Sequence, residues 1–347
     1  MNARRMLHLI QQPTLTLPRH TNLVCLVAVL VVATIVAILS LMVGTRDVAP
    51  FEVLAAIAGD TSTLDRAAVA TRIPRTVLAL IAGASLGLAG TVMQGITRNP
   101  LADPGILGIN TGASLAVVVG VAWFGISSAH SFIWLAIFGA AATSVFVYTI
   151  GSMGRGGATP LKLALAGTAT AIAFSSLVIA IVLPRADIAG GIRSWQIGGV
   201  GGATFERMEP VYGFLIIGFV LCLLSARKLN VLALGDELAA GLGENVAVAR
   251  ITATVGAVIL CGAATAVCGP IGFVGLVVPH VCRLLVGVDY RWLLPFSALG
   301  GAILLTVSDI VGRLAARPSE LEVGVVTALV GAPFFIFIVR RQKVKQL

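Results

Sequence analysis

The chain has 347 residues, 58% hydrophobic and only 11% charged, with a mean hydropathy of +1.01. Soluble domains carry about 25% charged residues, so a water-soluble fold of this length could not cover itself, and lipid is the expected solvent. The net charge of +9 does not indicate nucleic acid, because Lys and Arg sit in short gaps between apolar runs and not on one clustered face.

A polar start holding Arg4, Arg5 and Arg19 (residues 1–22, an expected cytoplasmic tail) leads into the first apolar run, Leu23–Val43. This run is longer than a signal-peptide core and no clear cleavage site follows, so it reads as a retained span. A membrane span needs about 20 apolar residues. Further candidates are Thr76–Ile96, Ile106–Phe124, Phe132–Ile150 and Leu163–Leu183, then Val211–Leu224, Ile251–Val267, Ile271–Val286, Leu293–Val311 and Val323–Val339. The expected fold is an all-α integral membrane protein of ten spans occupying residues 23–347.

Ten spans place both termini on one side. With the termini inside, the inner segments hold fifteen of the 24 Lys and Arg, and the positive-inside rule makes that side cytoplasmic. The two halves, about 23–183 and 211–339, show weak self-similarity: Gly83, Gly90 and Gly108 recur at one offset as Gly262, Gly269 and Gly287. A five-span unit must insert upside down relative to its twin, which is the inverted-repeat plan of many transporters.

Only Arg283 and Asp309 fall inside a proposed span, each near its end. Ion-coupled carriers need buried ionisable groups, so a secondary transporter is the weaker reading. No Gly-Lys pair exists, so the chain has no P-loop of its own. Cys25, Cys222, Cys261 and Cys282 lie in apolar runs without CxxC spacing, and His280 with Cys282 would point to different helix faces, so no metal site or cofactor is expected. Histidine and serine are too dispersed for a catalytic constellation, which speaks against a membrane enzyme.

Small or polar residues form stripes in two spans: Ala164, Thr168, Ala171 and Ser175 in the fifth, and Gly324, Thr327, Ala328 and Gly331 in the tenth. Close helix packing and a pathway lining both account for such stripes. Gly83–Gly87 and Gly108–Gly112 are GxxxG pairs, for which packing is the reading. Arg227–Arg250 is the longest inner gap and reads as a short amphipathic helix around Leu232–Leu242, broken at Gly241 and Gly243. Its leucines are too apolar for a free linker, which suits a partner-docking helix. Arg72, Arg75 and Arg313 are outward arginines suited to an acidic partner surface. Pro184–Glu209 is an outer loop expected to re-enter or lie along the surface.

Four strings, RIPRTVLALIAGASLGLAGTVMQGITRNPLADPGILGINTGA, ALGDELAAGLG, GPIGFVGLVVPHVCRLLVG and RPSELEVGVVTALVGAPFFI, together resemble the FecCD family. These are permease subunits of ABC importers for ferric siderophores, haem and vitamin B12, and the resemblance runs from about Thr34 to the C-terminus. It implies a vitamin B12 importer permease-like dimer, with an identical or paralogous second permease, in the bacterial cytoplasmic membrane. Two cytoplasmic ATPases and one extracytoplasmic binding protein complete the implied assembly. It further implies that Leu234, Gly235, Asp236, Glu237 and Gly241 form the ATPase-coupling loop (227–250). Arg72, Arg75 and Arg313 would then meet glutamates of the binding protein. The fifth and tenth spans would line the pathway, and Ala158 and Thr159 would stand at its cytoplasmic gate. RPSELEVG looks closer to ferric-siderophore members than to the vitamin B12 type, and haem or vitamin B12 remains the alternative cargo.

Overall fold

Arg19–Met42, a run without Gly or Pro, forms helix α1 in the computed structural model, which describes residues 19–44, 47–126, 128–153 and 159–341. Leu23, Val24, Val27, Leu30, Val31 and Ile35 of α1 are each over half exposed, as a lipid-facing helix requires. A short helix α2 (Pro50–Ile57) precedes α3 (Leu64–Thr97), whose first turn is capped by Thr63 accepting from the Arg66 amide. At 1.5 Å per residue α3 is about 51 Å long, enough to cross a bilayer and project beyond it.

Then follow α4 (Ile109–Phe124), α5 (Ala129–Ser152), α6 (Pro160–Val182), α7 (Ala186–Ile197) and α8 (Phe205–Leu224). Two short helices, α9 (Ala226–Leu232) and α10 (Asp236–Gly241), lead to α11 (Val246–Cys268), α12 (Val274–Val286), α13 (Tyr290–Ala315) and α14 (Val323–Arg341). No strand occurs among the described residues. Ten of these helices underlie the ten expected spans. Seven (α1, α3, α5, α6, α8, α11 and α13) are long and apolar enough to cross a membrane, while α4, α12 and α14 are shorter apolar helices.

The chain is a multi-pass membrane protein whose core is a seam between α3 and α13. A Cβ on Gly83 would overlap the Gly301 carbonyl, and one on Gly87 would overlap the Ser297 carbonyl. Helices in lipid associate through such close backbone approach because no hydrophobic force drives them together. The Gly108–Gly112 pair packs likewise, a Cβ on Gly112 overlapping the Thr143 side chain of α5. Both GxxxG pairs are therefore packing motifs.

The third helix of each five-helix set is the short one, at 16 residues for α4 and 13 for α12. In both cases a Pro/Gly turn occupies the chain before it. After α3, the 3₁₀ turn Pro104–Leu107 folds back among the helices, with Ala102 and Leu107 each 1% exposed. Before α12, Phe273 adopts φ +67°. The glycine offset read from the sequence fails at its second and third matches, since Gly90 lies inside α3 while Gly269 caps the end of α11. Gly108 stands at the start of α4 and Gly287 at the end of α12, so the two are not equivalent.

Residues 195–199 pack back into the bundle: the Gly199 amide donates to the Cys268 carbonyl at 2.7 Å and the Gly324 amide to the Gly198 carbonyl at 2.9 Å. The end of α7 is thereby wedged between the α11–α12 turn and the start of α14.

The seam makes a specific demand. Gly301→Val should destabilise the detergent-solubilised protein by at least about 2 kcal/mol through overpacking. Gly213→Ala, whose Cβ meets nothing within 4 Å, should leave the melting temperature unchanged in the same assay.

Candidate functional site

The buried charged residues among those described, Arg72, Asp309 and Arg313, all gather at one end of the bundle, the upper end, with Arg72 still 8% exposed. Their helices explain why. The α3–α13 seam brings Arg75 beside Asp309, 234 residues apart in sequence. The Arg75 guanidinium donates to Asp309 Oδ1 from Nη2 at 2.7 Å and Nε at 3.0 Å, while Arg313 Nη2 lies 2.8 Å from Asp309 Oδ2. A carboxylate with no exposed surface is thus held between two cations, the arrangement that buried charge requires.

These arginines also finish α1. A helix leaves its last four carbonyls unsatisfied, and α1 carries no basic residue in its last turn. Arg313 Nη1 donates to the Ser40 and Val43 carbonyls at 2.9 and 2.8 Å, and Arg72 Nη1 to those of Leu41 and Met42 at 2.9 and 3.1 Å. Arg317 donates to the Gly44 carbonyl and to Asp47. A Cβ at position 44 would displace the Arg72 guanidinium from its place against the end of α1.

Above this cluster opens a depression of about 380 Å³, lined among others by Thr71, Arg72, Arg75, Thr204, Arg313 and Glu320. Arg75 Nη1 reaches Glu320 at 2.6 Å across its edge. Burial pushes the neighbouring Glu322 carboxyl above its usual range, with Arg75 opposing the rise. The three arginines singled out from sequence therefore do converge, although Arg313, at 1% exposed, is committed to bonds inside the chain.

The opposite, lower end carries the 226–250 segment. The sequence suggested one helix around Leu232–Leu242; instead α9 and α10 are separate, broken at Gly235 with φ +117°. Leu229 and Leu232 are buried, whereas Leu234, Leu238 and Leu242 are 57%, 62% and 67% exposed. Adjacent carboxylates diverge: Glu237 is exposed, while Asp236 turns inward to Arg98 and Arg250. Gly241 closes α10.

The two small-residue stripes separate. On α14, Thr327 is 2% exposed, and Cβ atoms on Gly324 and Gly331 would overlap the Ile197 carbonyl and the Phe273 ring. Close packing accounts for that stripe. On α6, Thr168 and Ser175 are exposed and Ala171 half-buried, so that face is open. Thr159 caps α6 by accepting from the Lys162 amide; Ala158 lies outside the described residues. His280 packs edge-on against Phe334 while the Cys282 thiol faces the Phe296 carbonyl, so the two part company.

Residues 30–341 match the FecCD transport family. The chain is 42% identical to the ferric enterobactin transport system permease protein FepD of Escherichia coli (strain K12), over 93% of this chain and 96% of that one. It is 39% identical to the probable siderophore transport system permease protein YfiZ of Bacillus subtilis (strain 168), over 92% and 95%. A solved structure described as an inward-facing metal-chelate type ABC transporter superposes with a TM-score of 0.78 at 28% identity, covering 91% of this chain and 98% of that one. The chain belongs to the FecCD transport family.

Removing Arg313 takes one of two cations from the buried Asp309 and the donor from the Ser40 and Val43 carbonyls at the end of α1. Arg313→Met should therefore destabilise the protein by about 3–5 kcal/mol, read as a fall in melting temperature in detergent. Arg185→Met, which removes an exposed pair with Asp187, should leave the melting temperature nearly unchanged in the same assay.

Proposed function

We propose that this FecCD-family chain is the permease subunit of an ATP-driven importer that carries a ferric siderophore across the bacterial cytoplasmic membrane. The observation that carries the reading is the separation of two polar ends by an apolar helical body. The upper end offers an arginine-lined depression and the lower end an exposed row of leucines. Permeases in this family are not themselves catalytic, and energy and solute capture come from partner subunits.

In this reading the lower end is cytoplasmic, together with both termini. Leu234, Gly235, Asp236, Glu237 and Gly241 belong to the segment that two ATPase subunits engage. Leu234, Leu238 and Leu242 supply its apolar contact, since exposed apolar rows beside a polar rim mark interaction surfaces. The upper depression takes carboxylates of an extracytoplasmic binding protein. Arg72 and Arg75 are the contacting residues, with Arg313 holding the floor from inside. A cargo wrapped in its own chelator needs weak contact, which the hydroxyl and methyl groups of Thr168, Ala171 and Ser175 provide on the open face of α6. Gly324, Thr327 and Gly331 serve the pathway from behind, by seating α14. Thr159 and Ala158 stand at the cytoplasmic mouth, and a second permease, identical or paralogous, closes the pathway.

An ion-coupled carrier is disfavoured because Asp309 and Arg313, the charged residues with 1% exposure or less among those described, are paired at one end of the bundle. Haem or vitamin B12 import would use the same architecture.

Reconstituted with an ATPase and a binding protein, the chain should take up labelled ferric siderophore only when ATP is supplied. Uptake without ATP contradicts the reading. For the upper surface, Thr71→Glu adds a negative charge without touching the buried pairs. It should weaken binding-protein affinity about tenfold, an effect that shrinks as salt rises. Unchanged affinity removes the docking role.

A further inference from the structure

The coupling segment is fastened to the helix bundle at three points. Arg98, the left-handed residue that ends α3 (φ 50°), donates from Nε to the Leu232 carbonyl at 2.9 Å and pairs through Nη2 with Asp236. Its cation thus sits at the carboxyl end of α9 and against the acid in the first turn of α10, favourable at both. Arg250 of α11 donates to the same Asp236 oxygen at 2.9 Å. Asn230 of α9 donates to the Asp289 carboxylate at 2.6 Å and accepts from the Tyr290 amide at 3.0 Å, which ties it to the start of α13.

Between these fastenings the segment is hinged, since Gly235 and Gly243 adopt φ +117° and +83°, and a Cβ at either would meet nothing within 4 Å. A hinged segment pushed by a partner would fold at its glycines unless held. Asp236 is the residue placed to hold it, because it joins the piece between the two hinges to both α3 and α11. Its neighbour Glu237 is exposed.

We propose that Asp236 is a positioning residue of the drive: through Arg98 and Arg250 it transmits displacement of the coupling segment to α3 and α11. It is not itself a contact to the ATPase. This rests on the reading that the 226–250 segment meets the ATPases. Arg98 and Asp236 are partly exposed, with 37% and 45% of their side-chain surface accessible. Such pairs add little to folding stability, so loss of the pair should show in transmission and not in assembly.

The test uses the complete importer in proteoliposomes, following co-purified ATPase, ATP hydrolysis and uptake together. Asp236→Asn and Arg98→Gln should retain the ATPase subunits at the stoichiometry of the unmodified complex, yet lose about tenfold in uptake per ATP hydrolysed. The double variant should lose less than the two single losses combined, because they share the Arg98–Asp236 pair. Asp236→Glu, which keeps the charge, should recover most of the loss. Uptake per ATP unchanged in Asp236→Asn overturns the proposal, and so does loss of the ATPase subunits, which would make Asp236 a partner contact. If the unmodified chain neither retains an ATPase nor imports, the functional reading itself fails.

Discussion

The fold depends on the close approach of α3 and α13, where backbone lies against backbone because Gly83, Gly87 and Gly301 carry no side chain. In lipid, apolar side chains gain nothing by leaving the solvent, so tight packing and polar contacts between helices must supply the association. The seam supplies both. Its middle is glycine packing, and its upper end is the Arg75–Asp309–Arg313 cluster. At its lower end, α3 stops at Arg98 and α13 starts beside Asp289. One pair of helices therefore reaches from the arginine-lined depression to the segment proposed to meet the ATPases.

The buried charges illustrate a second economy of the fold. Asp309 would be costly alone, and two guanidinium groups would be costly together. Combined with the last carbonyls of α1, they satisfy one another. The outcome fixes α1, a helix with little packing surface of its own, by its carbonyl end. Arginines at a partner-facing surface thus also hold a peripheral helix in place.

The helical body was legible in the sequence because apolar length is a strong signal, and each expected span has a helix. Boundaries were less so. The second span was expected at Thr76–Ile96, yet α3 begins at Leu64 and continues through Pro74. The charged residues Asp65, Arg66, Arg72 and Arg75 mask that extension, since their hydropathy is low although two of them are spent inside the protein. The partners of Arg75 and Arg313 could not be read at all, because sequence spacing carries no information about contacts over 230 residues away. The break at Gly235 was missed because the apolar rhythm of Val231–Leu242 continues across it, and only the positive φ reveals it. The stripes on α6 and α14 look alike in sequence and differ in what faces them: one is open, the other pressed against Ile197 and Phe273.

Backbone contact along the seam and ion pairs at its upper end should make α3 and α13 move as one body. Spin labels at Thr71 of α3 and Leu314 of α13, both exposed, would report their separation in the assembled importer by pulsed electron resonance. A third label at Ile172 on the exposed face of α6 would report that helix against α3. Between nucleotide-free and ATP-bound states, the α3–α13 distance should change by no more than about 2 Å while the α3–α6 distance changes by more. A larger change across the seam than between α3 and α6 would contradict the account.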